Sequence, residues 1–193
     1  MTALLTLVLL AIGQPPESPL TPLRRAHAHN DDEHKRLLFD ALDQGFCSVE
    51  ADIWVSKDGL LVGHTPLDLK PGRTLQKLDL DPLRERVRAN GGEVFKDGPP
   101  FHLLVDVKTD AKATYAELAL AVQVGWNRRD ACGKAGEVEG VRGEGTQEGR
   151  LVRFWATPEK PELWRELLAA DVDLINTDKL PELRVFLRME EKQ

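Results

Sequence analysis

The chain has 193 residues, enough for one domain with a sizeable core, and its 26 basic and 32 acidic residues give a formal net charge of −6. This acidic balance argues against nucleic acid or an anionic membrane surface as the main partner.

The first 20 residues are predicted to be a leader. Residues 1–13 form an apolar run that is too short to cross a bilayer, and a proline-rich stretch follows it. This pattern is typical of a secretory signal cleaved near Gly13, and a buried strand is the other interpretation. We therefore predict a secreted or periplasmic protein without a stable membrane span.

Beyond the leader, strand-like and helix-like segments alternate in one predicted domain, residues 21–193. Strands are predicted at residues 23–27, 46–55, 60–63, 101–107, 151–155 and 172–175, and helices at residues 33–44, 82–89, 111–122, 158–170 and 179–189. Such alternation predicts an α/β fold with parallel strands. Residues 125–150 hold seven of the 15 glycines and show no apolar period, so this segment is predicted to be a disordered insert.

Polar residues near the predicted strand ends favour a TIM-barrel-like (β/α) barrel. Asp106 and Lys108 lie at the end of one strand, Trp155 ends another, and Thr177 and Asp178 follow the last one. In such barrels the active site lies at the carboxyl ends of the strands. Only about five or six strands can be counted, and a complete barrel takes ~250 residues. The barrel is therefore predicted to be incomplete.

Two carboxylates lie inside the apolar run of the strand predicted at residues 46–55. Glu50 and Asp52 are two residues apart, so in a strand both side chains point to the same face. Adjacent buried carboxylates are costly unless a positive group joins them, and oxygen ligands suit Mg²⁺ or Ca²⁺. With Asp106 from the next strand end, these residues form the predicted site for one divalent cation.

Two histidines, His27 and His64, flank the acidic pair from neighbouring strand ends. Imidazoles that titrate near neutral pH can divide the roles of general acid and general base between them. Both side chains are expected at the rim of the pocket. Lys108 is expected to bind the substrate, or to form an ion pair with a nearby carboxylate. Trp155 either walls the pocket or is buried in the core.

These residues resemble the phosphatidylinositol-specific phospholipase C and glycerophosphodiester phosphodiesterase superfamily, and within it an exported branch that begins with H-x-H-N-D. The pattern is His27, Glu50-Ala51-Asp52, a Lys57-Asp58-Gly59 turn before His64, and Asp106-Val107-Lys108. The resemblance extends over about residues 26–122 and 151–187.

The resemblance implies a barrel phosphodiesterase that uses one Mg²⁺ or Ca²⁺ and acts on a small phosphodiester or a lipid headgroup. It also implies that Lys108 holds a phosphate oxygen. In that family the first strand ends in His-Arg-Gly, whereas this chain has His27-Ala28-His29 and so lacks the arginine that would hold phosphate.

Two other interpretations remain open. Because the middle of the barrel is short, the chain could be a truncated, non-catalytic remnant of the family. Alternatively, His27 and His29 could bind Zn²⁺, since His-x-His also begins the barrels of zinc metallohydrolases. The oligomeric state cannot be predicted from the sequence.

Overall fold

The computed structural model describes residues 20–125 and 151–192. The predicted leader lies outside these residues apart from Leu20, and so does the glycine-rich segment apart from Gly125, so neither prediction is tested. None of the described helices combines the length and the apolar character needed to cross a bilayer.

The described residues form a mixed α/β structure with one five-stranded sheet. Its strands are β1 (Leu23–Ala28), β2 (Phe46–Ser56), β3 (Gly59–Val62), β4 (His102–Val107) and β5 (Ile175–Thr177). Its α-helices are α1 (Phe39–Gln44), α2 (Asp81–Ala89), α3 (Ala111–Gly125), α4 (Pro161–Ala169) and α5 (Leu180–Glu190).

The 11-residue strand β2 is the centre of the sheet. It pairs in parallel with β1 and β4, and its last residues form an antiparallel hairpin with β3. Strand β5 pairs in parallel with the other side of β1. The sheet is open within the described residues, so the closed barrel is not shown, although the four parallel strands follow the predicted βα alternation.

Alternation along β2 separates an apolar face from a polar one. Cys47, Val49, Ala51 and Ile53 are buried in two apolar clusters with residues of the helices and of β3. The intervening residues Ser48, Glu50 and Asp52 are also buried, but they share the polar face with His27 of β1 and Asn176 of β5. The polar face therefore carries the candidate site.

A tight turn at Gly45 connects the end of α1 to the start of β2. Gly45 ends α1 with a φ of 88°, and a Cβ at this position would lie 2.8 Å from the backbone oxygen of Thr21. Only glycine adopts this backbone conformation at no steric cost.

Three predicted elements differ from the structure. The helix predicted at residues 33–44 begins only at Phe39. The backbone N–H of Leu38 donates a hydrogen bond to the Asp31 carboxylate, and this contact holds the preceding residues in a short 3₁₀ turn and a loop. The strand predicted at 151–155 is reduced to a single bridge between Arg153 and Leu174. The strand predicted at 172–175 lies three residues later, where β5 pairs with β1.

The buried carboxyl of Asp79 is a source of pH-dependent stability. Its side chain is 2% exposed, and Oδ2 has no hydrogen-bond partner among the described residues. Burial, together with the charges of Asp31 and Asp32, raises the pKa of Asp79 to about 8. The folded state therefore keeps the proton of this carboxyl up to a higher pH than the unfolded state does. As a result, the contribution of Asp79 to the free energy of unfolding falls as the pH rises from about 4 to about 8.

We predict that Asp79→Asn raises the melting temperature, and that the gain is larger at pH 8 than at pH 5, because asparagine cannot ionise. Thermal denaturation followed by circular dichroism measures the difference. Asp58→Asn, at an exposed turn residue, is the matched control and should show little change. A gain for Asp79→Asn that is the same at both pH values would contradict this account.

Candidate active site

The polar face of the sheet opens into a pocket of about 630 Å³. The groups that line it are imidazoles, carboxylates, two cationic side chains and one tryptophan, contributed by His29, Glu50, His64, Asp106, Lys108, Arg153 and Trp155, among others. Parallel pairing explains the convergence, because β1, β2 and β4 all end at this edge.

The three predicted cation ligands lie together. Asp52 and Asp106 are direct partners in the register of β2 and β4, and Glu50 lies two residues before Asp52. Glu50, Asp52 and Asp106 each offer a carboxylate oxygen within 4.8 Å of the others. The Asp52 side chain is fully buried and its Oδ1 has no hydrogen-bond partner among the described residues. An orphaned carboxylate oxygen in an oxygen-only cluster fits a hard divalent cation.

A second group of potential ligands shares Asp52. Asp32, Asp52 and His64 also place one donor atom each within 4.8 Å of one another. Asp32 does not line the pocket, whereas Glu50 and Asp106 do. The all-carboxylate group therefore suits Mg²⁺ or Ca²⁺ better and is open to a substrate.

Cationic side chains balance the buried carboxylates. Lys108 Nζ lies 2.7 Å from Asp106 Oδ2 and 3.0 Å from Asp52 Oδ2, and these hydrogen bonds outweigh partial burial and raise the pKa of Lys108. Arg153 donates to Glu50 Oε2. Burial raises the pKa of Glu50, but hydrogen bonds from His27 and Arg153 outweigh it and lower this pKa to about 2. Glu50 is thus held as a carboxylate.

His64 is positioned by an aspartate. Its Nδ1 lies 2.8 Å from Asp52 Oδ2, and its side chain is 38% exposed at the pocket. The hydrogen bond to Asp52 raises the pKa of His64. With Nδ1 held by the carboxylate, Nε2 is the ring nitrogen left for a reacting group.

His27 does not lie at the rim as expected. Its side chain is fully buried, with Nδ1 2.7 Å from Ser48 Oγ. Its Nε2 lies 3.2 Å from Glu50 Oε2 and 2.7 Å from Arg153 Nη1. Burial lowers the pKa of His27. The prediction that His27 lies at the rim of the pocket was wrong. Strand β5 and Arg153 cover this residue, and both are distant from it in the sequence.

His29, which the sequence analysis considered only as a zinc ligand, lines the pocket instead. Its Nδ1 lies 2.8 Å from Asp178 Oδ1, just after β5, and its side chain is 22% exposed. The pocket therefore has two aspartate-held imidazoles, His29 and His64. Neither His27 nor His29 belongs to a cluster of three potential metal ligands within the described residues.

Trp155 and Arg153 lie at the same pocket. Trp155 is 73% exposed, so it is not a core residue, and it lines the pocket as one of the two predicted alternatives. Arg153 was missed by the sequence analysis. Its spacing of two residues from Trp155 in a predicted strand was the available signal, because such residues share a face.

Comparison with known families relates this α/β domain to phosphodiesterases. A family described as the AIM6-like phosphodiesterase domain matches residues 19–129, more than half of the chain, and a second, the glycerophosphoryl diester phosphodiesterase family, matches residues 152–181. The chain belongs to the AIM6-like phosphodiesterase domain family. The glycerophosphodiester phosphodiesterase relationship suggests a TIM-like fold, whereas the described residues form an open five-stranded sheet and show no closed barrel.

Curated relatives are fungal proteins named for mitochondrial inheritance. The chain is 36% identical over 107 residues to altered inheritance of mitochondria protein 6 of Eremothecium gossypii, a match that covers 48% of this chain and 28% of that protein. It is 31% identical over 116 residues to a homolog of that protein in Arthroderma benhamiae, covering 50% and 37%. The matches thus span well under two thirds of these relatives. No solved structure matches the chain.

The burial of His27 changes what its replacement should do. We predict that His27→Ala lowers the free energy of unfolding by roughly 2–4 kcal/mol, because it leaves a cavity and removes a hydrogen-bond partner from Ser48 and Glu50. His64→Ala, at a partly exposed side chain, should cost much less. Urea denaturation at neutral pH measures both variants. Equal stability of the two would contradict the buried placement of His27.

Proposed function

We propose that the chain is a metal-dependent phosphoric diester hydrolase or lyase that acts on a small phosphodiester or a lipid headgroup. The observation that carries the proposal is the meeting, in one pocket, of two aspartate-held imidazoles with a cluster of three carboxylates and a lysine. Phosphodiester cleavage requires a group that removes a proton, a group that donates one, and positive charge beside the phosphate.

Glu50, Asp52 and Asp106 would hold the cation. A bound Mg²⁺ or Ca²⁺ supplies positive charge that stabilises the phosphate during the reaction. Lys108 Nζ, held by Asp52 and Asp106, is placed to donate to a phosphate oxygen. The two carboxylates fix this ammonium group at the pocket, so little conformational freedom is lost when substrate binds.

His64 and His29 are best placed to move protons. One imidazole takes the proton of the attacking hydroxyl, from water or from a substrate alcohol, and the other protonates the leaving alkoxide. Asp52 and Asp178 orient these rings through Nδ1. His27, predicted from sequence as one of the pair, instead supports Glu50 from below the pocket, because both of its ring nitrogens contact neighbours. The geometry supports His29 in its place.

Two other functions remain alternatives. A truncated remnant would keep the cation site without catalysis, and the open sheet is the observation in its favour. A zinc metallohydrolase would use His27 and His29 as ligands, which the separate contacts of the two rings do not favour. Membership of an exported branch, and export itself, stay predictions from the sequence.

We predict that the chain hydrolyses bis-p-nitrophenyl phosphate, that EDTA abolishes the activity, and that Mg²⁺ or Ca²⁺ restores it. His64→Ala and His29→Ala should each lower the rate by roughly 10²–10⁴-fold, the usual scale for loss of a general acid or base. His102→Ala, at the start of β4 and outside the pocket, is the matched control.

The outcomes separate the alternatives. Full activity in His64→Ala would remove this residue from the mechanism. Restoration by Zn²⁺ alone, with a large loss in both His27→Ala and His29→Ala, would favour the zinc metallohydrolase. No activity with any of these metals would favour the remnant.

A further inference from the structure

One guanidinium group lies among three polar side chains at the base of the pocket. Arg153 Nη1 donates to Glu50 Oε2, and it lies 2.7 Å from His27 Nε2 and 3.0 Å from Asn176 Oδ1. The side chain is 22% exposed and lines the pocket. All three contacts are made by Nη1, and among the described residues none accepts a hydrogen bond from Nε or Nη2, so these two groups can donate to a ligand.

Binding of an anionic ligand in this pocket requires a positively charged side chain. The two arginines of β1, Arg24 and Arg25, do not line the pocket, and the residue between His27 and His29 is Ala28. Among the described residues, Lys108 and Arg153 are the lysine and arginine side chains that line the pocket. Lys108 is a single charged donor, whereas the planar guanidinium can donate two parallel hydrogen bonds to a phosphate.

The same guanidinium also competes for a proposed cation ligand. Glu50 Oε2 accepts from Arg153, and Glu50 belongs to the carboxylate cluster with Asp52 and Asp106. A divalent cation on Glu50 and a guanidinium paired with that carboxylate repel each other. A bound cation therefore weakens the Arg153–Glu50 pair and makes the guanidinium more available to an anion.

We propose that Arg153 is the anion-binding side chain of this pocket, and that it couples the binding of a phosphoryl anion to the binding of a divalent cation through Glu50. The coupling part rests on the proposed function, whereas the anion-binding part does not. By thermodynamic linkage, an anion that draws Arg153 away from Glu50 raises the affinity for the cation by the same factor as the cation raises the affinity for the anion.

The alternative role for Arg153 is structural. The stretch that carries it joins the sheet through the single bridge to Leu174, and the ion pair with Glu50 ties this stretch to β2. In that role, the loss of the guanidinium would lower the melting temperature without changing the affinity for either ion.

Isothermal titration calorimetry with Mg²⁺ and inorganic phosphate separates these roles. Each ion is titrated into the whole chain, alone and with the other ion present, and the association of Mg²⁺ with phosphate in buffer is subtracted. The variants are Arg153→Gln, Arg153→Lys and the control Arg165→Gln, an exposed arginine of α4 that pairs with Glu190. Circular dichroism checks that each variant is folded.

We expect phosphate to bind the unaltered chain about tenfold more tightly with Mg²⁺ than without it. Arg153→Gln should bind Mg²⁺ alone about tenfold more tightly, since a competing positive charge is removed. It should also bind phosphate at least tenfold more weakly. Mg²⁺ should then raise its phosphate affinity only as far as direct contact between the two bound ions does. Arg153→Lys should keep part of the phosphate affinity, and Arg165→Gln should match the unaltered chain.

Unchanged affinities for both ions in a folded Arg153→Gln variant would overturn the proposal and favour the structural role. If the unaltered chain binds phosphate but no Mg²⁺, the proposed metal-dependent function fails and the coupling fails with it. In that case a loss of phosphate affinity in Arg153→Gln would still support the anion-binding role, and an unchanged phosphate affinity would overturn it.

Discussion

The structure depends on two carboxylates, Glu50 and Asp52, buried on one face of the central strand. Their spacing of two residues forces both side chains to the same side of β2, where Glu50 is 7% exposed and Asp52 is fully buried. An unpaired buried carboxylate costs several kcal/mol, so each one requires positive or hydrogen-bonding partners. Arg153 and His27 meet Glu50, and Lys108 and His64 meet Asp52.

These partners come from several segments around β2. His27 lies on β1, His64 follows the β2–β3 hairpin, Lys108 follows β4, and Arg153 lies in the stretch before α4. The carboxylate pair thus links segments more than 100 residues apart and aligns the strand ends that form the pocket. Asn176 and Asp178, in and after β5, complete the same arrangement by contacting Arg153 and His29. Three of the residues that stabilise the buried acids, Lys108, Arg153 and His64, are therefore also residues that would bind phosphate or move protons.

Local pattern was enough to predict the central features. The i, i+2 spacing placed Glu50 and Asp52 on one face, and parallel βα alternation placed Asp106 and Lys108 at the same edge, where the structure brings them together. The position of His27 could not be predicted in this way. Its burial depends on β5 and Arg153, which pack against it from more than 120 residues away, and periodicity within one strand contains no information about such a neighbour.

Helix and strand boundaries failed where a side chain competes with the backbone. The apolar residues before Phe39 do have helical spacing, but the Asp31 carboxylate accepts a hydrogen bond from the Leu38 backbone N–H and favours a loop there. Short polar side chains often compete with helix formation in this way. The stretch around Arg153 has strand-like residues, yet it makes one bridge in the described structure, because strand formation depends on a neighbour along its full length.

The most direct test is the position of a cation in a crystal of the protein soaked with Mn²⁺, which replaces Mg²⁺ and scatters anomalously. The account predicts one strong anomalous peak within ~2.0–2.6 Å of carboxylate oxygens from Glu50, Asp52 and Asp106. A peak confined to Asp32, Asp52 and His64, or no peak at this edge of the sheet, would contradict it.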